Sequence, residues 1–304
     1  MKVFYKRAIV LIAVALINLM GNKLYAQLNP FGSSYFQRRY VNNPAYAGLS
    51  GELDISGAFK HQFSSIPGSP QMQNVTVEKG FNKSGVGLKF YNDKAGVLRY
   101  TTVSLTYAYH LQLDDSDKRL SFGLSGGFSD YNVDLSRVRG DAGDVELMAV
   151  DQRKTYFDGD FGIAYTSKTL SVEAAIPNMK QVFKKDLTNN ADFALFYSAV
   201  SYRIQTNFGS LEPRAVYRGV NNYKDIFDVG LNVEFLPYAD KQPLSLFGMY
   251  HSTNSFTAGA GVKINPNFGV SVMYTTSTSD LQGYNNGDFE IGIRVSPFAK
   301  KGGQ

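Results

Sequence analysis

The residue types that most often carry chemistry are few in this chain. Cysteine is absent, and the histidines are His61, His110 and His251. Without cysteine there is no thiolate metal site and no disulfide framework. The histidines are scattered, with no helical pair spaced to hold a metal and no adjacent carboxylate motif. Asp141, Asp144, Glu146 and Asp151 make one long loop acidic. Their spacing is not that of a calcium-binding EF-hand loop, and a solvated acidic loop is the simpler reading. Gly-Leu-Ser-Gly-Gly at 123–127 superficially matches a nucleophile elbow, but it sits mid-strand rather than at a strand-to-helix turn. His110 falls on the polar face of its strand, which argues against the Ser/His pair that barrel phospholipases carry on their outer wall. Asp158 and Asp160 share one strand face, an ordinary arrangement in a wet lumen. No catalytic, cofactor-binding or metal residue is assigned, and no enzymatic activity is expected. The net charge of +5 is diffuse and comes without aromatic-basic stacking motifs, so nucleic acid is not an expected partner.

The elements around these residues are strands. Over Thr101–Leu113, Val103, Leu105, Tyr107, Tyr109, Leu111 and Leu113 fall on one parity, and Ser104, Thr106, Ala108, His110 and Gln112 on the other. Side chains alternate across a strand, so one face is bulky and apolar and its opposite is small or polar. After Asp114–Lys118 the pattern resumes with Leu120, Phe122, Leu124 and Phe128 against Ser121, Gly123, Ser125, Gly127 and Ser129. Two such strands joined by a turn form a hairpin. The apolar face meets either lipid, as in an outer-membrane barrel, or the closed core of a soluble sandwich. Alternation alone leaves both open.

Composition and loop lengths separate them. Charged residues are 19%, below the roughly 25% of soluble domains, while Tyr and Phe number 20 and 22. Residues 1–26 read as a secretory signal: Lys2, Lys6 and Arg7, then the short apolar run Ala8–Met20, then a cleavage site at Leu24-Tyr25-Ala26. Residues 27–50 lack periodicity and form an irregular periplasmic or plug-like segment. Alternation then predicts about fourteen strands over residues 51–298, with a tail at 299–304. If both termini face the periplasm, turns must alternate between short inner and longer outer connections. The three longest, Asp130–Lys154, Asn178–Asn190 and Ser277–Gly287, fall on one side. The expected fold is therefore all-β: a single transmembrane antiparallel β-barrel of about fourteen strands with a short irregular N-terminal segment, located in the outer membrane. The charged parity, including Asp54, Lys60, Glu173, Arg214, Arg218 and Glu290, is expected to face the lumen.

A set of short motifs carries a family resemblance. Asn43-Pro44-Ala45-Tyr46-Ala47-Gly48 follows the signal region. Tyr107–Leu111 precedes Phe122–Gly127, Phe157-Asp158-Gly159-Asp160-Phe161-Gly162 precedes Ile176-Pro177-Asn178, and Tyr284–Ile291 lies near the C-terminus. In order and spacing they resemble the PorP/SprF family of the Bacteroidota type IX secretion and gliding apparatus, over about Gln27–Phe298. The resemblance implies a non-enzymatic outer-membrane barrel that needs no cofactor. It implies partners: secreted proteins with a type B C-terminal domain, including gliding adhesins, and a periplasmic peptidoglycan-binding lipoprotein of the PorE type with the PorK/PorN ring. Partner contacts are expected at Asn43, Pro44, Tyr46, Gly48, Asp158, Asp160, Asn178 and Tyr284. Cargo would be held at the outer loops and lumen mouth, and Gln27–Ser50 with the periplasmic turns would meet the cell-wall-linked partner. A passive channel or hydrophobic-solute transporter is the alternative.

Overall fold

The computed structural model describes residues 31–114, 117–134, 154–180, 194–220, 225–235, 243–277 and 287–298. The signal region, the acidic loop carrying Asp141–Asp151, the tail and Tyr284 lie outside them.

Fourteen antiparallel strands close into one ring. They are β1 (Leu53–Gln62), β2 (Gln71–Phe81), β3 (Ser84–Ala95), β4 (Leu98–Gln112), β5 (Arg119–Val133), β6 (Lys154–Thr166), β7 (Leu170–Ile176) and β8 (Ala194–Tyr202). The ring continues through β10 (Gly209–Val220), β11 (Ile226–Phe235), β12 (Leu244–His251), β13 (Ser255–Asn265), β14 (Phe268–Ser277) and β15 (Asp288–Val295). Pairing of β1 with β15 and of β10 with β11 leaves no open edge around the circumference. Closure matters because an unpaired backbone edge is too costly to leave in hydrocarbon.

A three-residue piece, β9 (Ile204–Thr206), stands outside the ring count and pairs with the start of β10. It continues the line of β8 in the same register: Ser201 faces Arg214 and Ile204 faces Leu211. The break between them lies opposite Pro213, which has no N–H to donate. Arg203 N–H turns instead to Thr169 O, at 2.6 Å. What would otherwise be one strand is thus two ladders separated by a position opposite a proline.

The apolar parity points outward. Leu105 is 68% exposed, Phe128 63% and Leu124 56%, whereas Ser104, Thr106, Ala108 and His110 on the alternate positions are buried. Phe122 and Ile291 likewise face out. A soluble sandwich would bury the first set, so the outward face is the lipid face. The charged parity faces the lumen: Asp54, Lys60, Glu173, Glu212, Arg214 and Glu290 are all buried. Lys263, near the inner end of β13, is exposed instead.

Residues 31–52 run through the lumen before β1 begins. They form one helical turn, α1 (Ser33–Phe36), and two 3-10 turns over Arg39–Val41 and Pro44–Tyr46. Phe31, Tyr35, Tyr40, Ala45, Tyr46 and Ala47 are buried against the wall.

Candidate functional site

The lumen and its N-terminal segment form the candidate site, and its lower half is built on Asn43–Gly48. Asn43 caps the Pro44–Tyr46 turn by accepting from Ala45 N–H at 3.0 Å. Pro44 sits where its missing N–H costs nothing. The Asn43 amide donates to Glu173 Oε2 on β7 at 3.2 Å and to Ile163 O on β6 at 3.2 Å. The Tyr46 hydroxyl pairs with Ser171 at 2.9 Å. His110 Nε2 meets Ala47 O at 3.0 Å, and Gly48 N–H donates to Glu78 at 3.0 Å. Gly48 has φ +67, a left-handed conformation that favours glycine.

The wall is hollowed to receive this turn. At Gly123 on β5 a Cβ would collide with Pro44 and Ala45, and at Gly162 on β6 with Asn43. Side chains at those positions would push the segment off the wall.

The segment is tied to further strands as well. Near the inner end Arg39 pairs with Glu212 on β10 and donates to Ser171 on β7 at 3.1 Å; the remaining ties lie higher in the lumen. The Tyr40 hydroxyl pairs with Thr106 on β4 at 2.7 Å, and Arg38 donates to Asn74 on β2 at 3.0 Å. Tyr35 donates to Asp228 on β11 at 2.6 Å. Gly32 N–H donates to Glu290 on β15 at 2.6 Å. Phe31 packs edge-on against Tyr91 on β3, in the outer half of the barrel. Burial holds the Tyr35 phenol well above its usual pKa, with Asp228 reinforcing the shift, so it remains a donor. Burial pushes Arg38 down to about 10, opposed by Glu290, and raises Tyr40 to about 12.

Ion pairs knit the wall itself. Arg214 pairs with Glu173, Arg218 with Asp228 at 3.0 Å, Lys60 with Asp288 at 3.2 Å and Lys89 with Asp160 at 2.9 Å. On the periplasmic side a cavity of about 250 Å³ remains between the segment and the wall, lined by Arg39, Tyr46, Asp54, Glu78 and Arg294 among others.

One constellation was invisible in the sequence. Asp228, His251 and Thr257 are linked at 2.9 and 2.8 Å in an Asp–His–hydroxyl order. Separation in the chain hid it, because register places Asp228 opposite His251. Thr257 also pairs with Thr275 at 2.7 Å and is buried with the rest. The arrangement fixes the Asp228 carboxylate for Tyr35 and Arg218, and nothing in its geometry admits a substrate.

The sequence-expected contact residues divide into two groups. Asn43, Pro44, Tyr46 and Gly48 are buried and spent on wall contacts. Residues 31–48 therefore do not hang into the periplasm, and only Leu49–Glu52 lie at the inner mouth. Asp158, Asp160 and Asn178 sit together higher up. Asp160 accepts from Asn178 N–H at 3.1 Å, and Asp158 from Lys180 N–H at 2.9 Å. Pro177 and the left-handed Asn178 (φ 55) end β7 after seven residues, and the two carboxylates catch the turn that follows. Among the described residues no group of side chains could hold a metal ion.

A family model for the type IX secretion system membrane protein PorP/SprF matches residues 24–295. No curated protein matches. Among solved structures, the CymD monoaromatic hydrocarbon channel is similar at 10% identity and TM-score 0.47, over 88% of this chain and 93% of that one. The Pseudomonas putida toluene transporter TodX is similar at 9% and 0.47, over 91% and 94%. The Acinetobacter baumannii outer-membrane protein Omp33 follows at 8% and 0.42, over 81% and 97%. At these values the structural likenesses carry no argument about what the chain does.

Proposed function

The chain belongs to the PorP/SprF family of type IX secretion membrane proteins, and from that premise we propose that it is a sealed, non-enzymatic dock rather than a conduit. In this reading the barrel supports secretion and surface attachment of partner proteins that carry a type B C-terminal domain, such as gliding adhesins. It links them to the periplasmic machinery through a PorE-type lipoprotein and the PorK/PorN ring. The observation that carries the reading is the N-terminal segment, tied to β2, β4, β6, β7, β10, β11 and β15 by named polar contacts. Expelling it would take a donor from each of Glu212, Asp228 and Glu290, and a hydrogen bond to a charged group contributes about 1.5–3 kcal/mol. A part so bound serves poorly as a gate for solute or protein. Cargo is then met from outside and the cell-wall partner at the inner rim. A passive channel or hydrophobic-solute transporter predicts passage through the same barrel.

The test has two arms. Purified barrel in planar bilayers should show no steady conductance. Barrel solubilised from cells should bring down a type IX secreted protein. Steady open-channel current from the intact chain would remove the dock in favour of the channel.

A further inference from the structure

The outer half of β3–β6 reverses its polarity. One outward row, Phe90, Val103, Phe128 and Phe157, is continuous across the four strands by register. The next outward row is Asn92, Thr101, Asp130 and Thr155, and above it stand Lys94, Arg99 and Asn132. Thr101 bonds Asn92 at 3.1 Å and Thr155 bonds Asp130 at 2.6 Å, so this convex face is polar and self-satisfied. The lipid face ends at the Phe90 row. The concave face changes the other way. Lower in the barrel it is mostly Ser, Thr, Gly and Ala, with Lys89, His110, Asp158 and Asp160 among them. Level with and above the boundary it carries Tyr91 and Tyr156, then Tyr100 and Tyr131, then Leu98 and Val133.

These tyrosines are half-buried and stand above Phe31, the upper end of the lumen segment. Tyr91 and Tyr100 meet edge to face at 6.2 Å. Acceptors without partners lie near them, Asp93 Oδ1 on β3 and Asp158 Oδ2 on β6, and a third, Asp288 Oδ1, lies across β1 and β2 on β15; all three are buried and make no hydrogen bond. Among the described residues, four carboxylates, Asp93, Asp158, Asp160 and Asp288, face three ammonium groups, Lys60, Lys89 and Lys180. Lys180 Nζ already lies over the Tyr156 ring at 5.7 Å.

Resting on the docking role proposed above, we infer that this tyrosine-lined outer cup is the contact site for the secreted polypeptide, and that the segment entering it carries a lysine or arginine. Buried polar atoms left unpaired call for donors. A surplus carboxylate favours a cation, and tyrosine faces bind cations and polypeptide at low entropic cost. A neutral glycan or an acyl chain would supply no charge for the surplus. The polar convex face is ordinary solvated surface.

A photo-reactive benzoylphenylalanine in place of Tyr131, irradiated in intact cells, tests the site. The expected product joins the barrel to a type IX secreted polypeptide, and the cross-linked peptide contains lysine or arginine. Adducts to lipopolysaccharide alone, or none, overturn the inference. Substitution supplies the second arm. The double variant Tyr100→Ala/Tyr156→Ala should lower recovery of the same polypeptide roughly tenfold or more, the loss expected on truncating central aromatic anchors. Tyr156→Phe keeps the ring and should retain binding, and Lys94→Ala on the convex face should change nothing. Heat-modifiable migration identifies variants that assembled. Full recovery by an assembled double variant overturns the cup but leaves the dock, whereas no secreted polypeptide recovered by the unaltered chain sinks the dock itself.

Discussion

Asn43 caps a turn, donates to a buried carboxylate and is fully enclosed. Losing the cap costs about 0.5–2 kcal/mol, and leaving buried groups unmatched adds about 1–3 kcal/mol. Asn43→Ala should therefore lower the urea midpoint of the barrel in vesicles. Asn43→Asp should lower it further, because it sets a carboxylate against Glu173 where an amide donated. An Asn43→Asp barrel as stable as the parent would contradict the capping role. Tyr35 gives a pH prediction. Its phenol pKa is raised by burial, so its contribution is complete below the ordinary tyrosine value of about 10 and fades only as pH climbs toward the raised one. The Tyr35 tie should therefore hold unchanged from about pH 5 to 9. Conductance switching on within that interval would show that another group governs it. The motif Asn43–Gly48 was legible in the sequence as a bend, but its partners were not. Glu173, Ser171, Glu78 and His110 come from three distant strands, and only barrel closure brings them to one turn.

Between elements, the fit of the 43–48 turn on its wall decides whether the lumen is filled. Two of the wall positions that meet it most closely, Gly123 and Gly162, are glycines, and alternation reads a glycine on the small parity simply as lumen-facing. Gly123→Leu should displace the turn without touching the lipid face. The variant is expected to assemble, migrate as a folded barrel and pass current in planar bilayers where the parent does not. A silent Gly123→Leu barrel would mean that the upper ties through Arg38 and Tyr35 seal the lumen alone. Strand positions were legible because period-two patterning is strong over seven to fifteen residues. The early end of β7 at Pro177 and Asn178 was legible too. One local event was not: the β8–β9 break depends on Pro213 in the neighbouring strand. The polarity reversal above the Phe90 row also escaped alternation, since the period persists while the two faces exchange character. The Asp228–His251 pair escaped for a related reason, because motif spacing along the chain says nothing of register between strands.

For the whole molecule, the solvent on the outer face settles the account, and depth along one strand tests it. From Val103 on β4 to Leu113, the residue just past its end, is ten residues. At about 3.3 Å per residue and a tilt near 40°, they span about 25 Å along the membrane normal, the height of an apolar band. The midplane then falls near Tyr107, whose outward neighbours by register are Leu124 and Phe161. An arginine there has no water and no partner. Leu124→Arg should cost about 2–4 kcal/mol of stability in bilayers, and Thr101→Arg, beyond the Phe90 row, about 0–1 kcal/mol. Ser125→Arg, one residue along but facing inward, meets a different penalty. It crowds Thr106, bonded to Ser125 at 2.7 Å and to Tyr40 at 2.7 Å, and so should loosen the lumen segment rather than the membrane fit. Unfolding in thin and thick bilayers distinguishes the two costs, since the Leu124→Arg penalty should vary with hydrocarbon thickness and the Ser125→Arg penalty should not. A flat profile from Thr101 through Leu124 would place both positions in water and remove the membrane from the outer face. If the profile instead peaks at the Tyr107 row and vanishes by the Thr101 row, the tyrosines on the concave face stand at and above the surface, where a secreted partner can reach them.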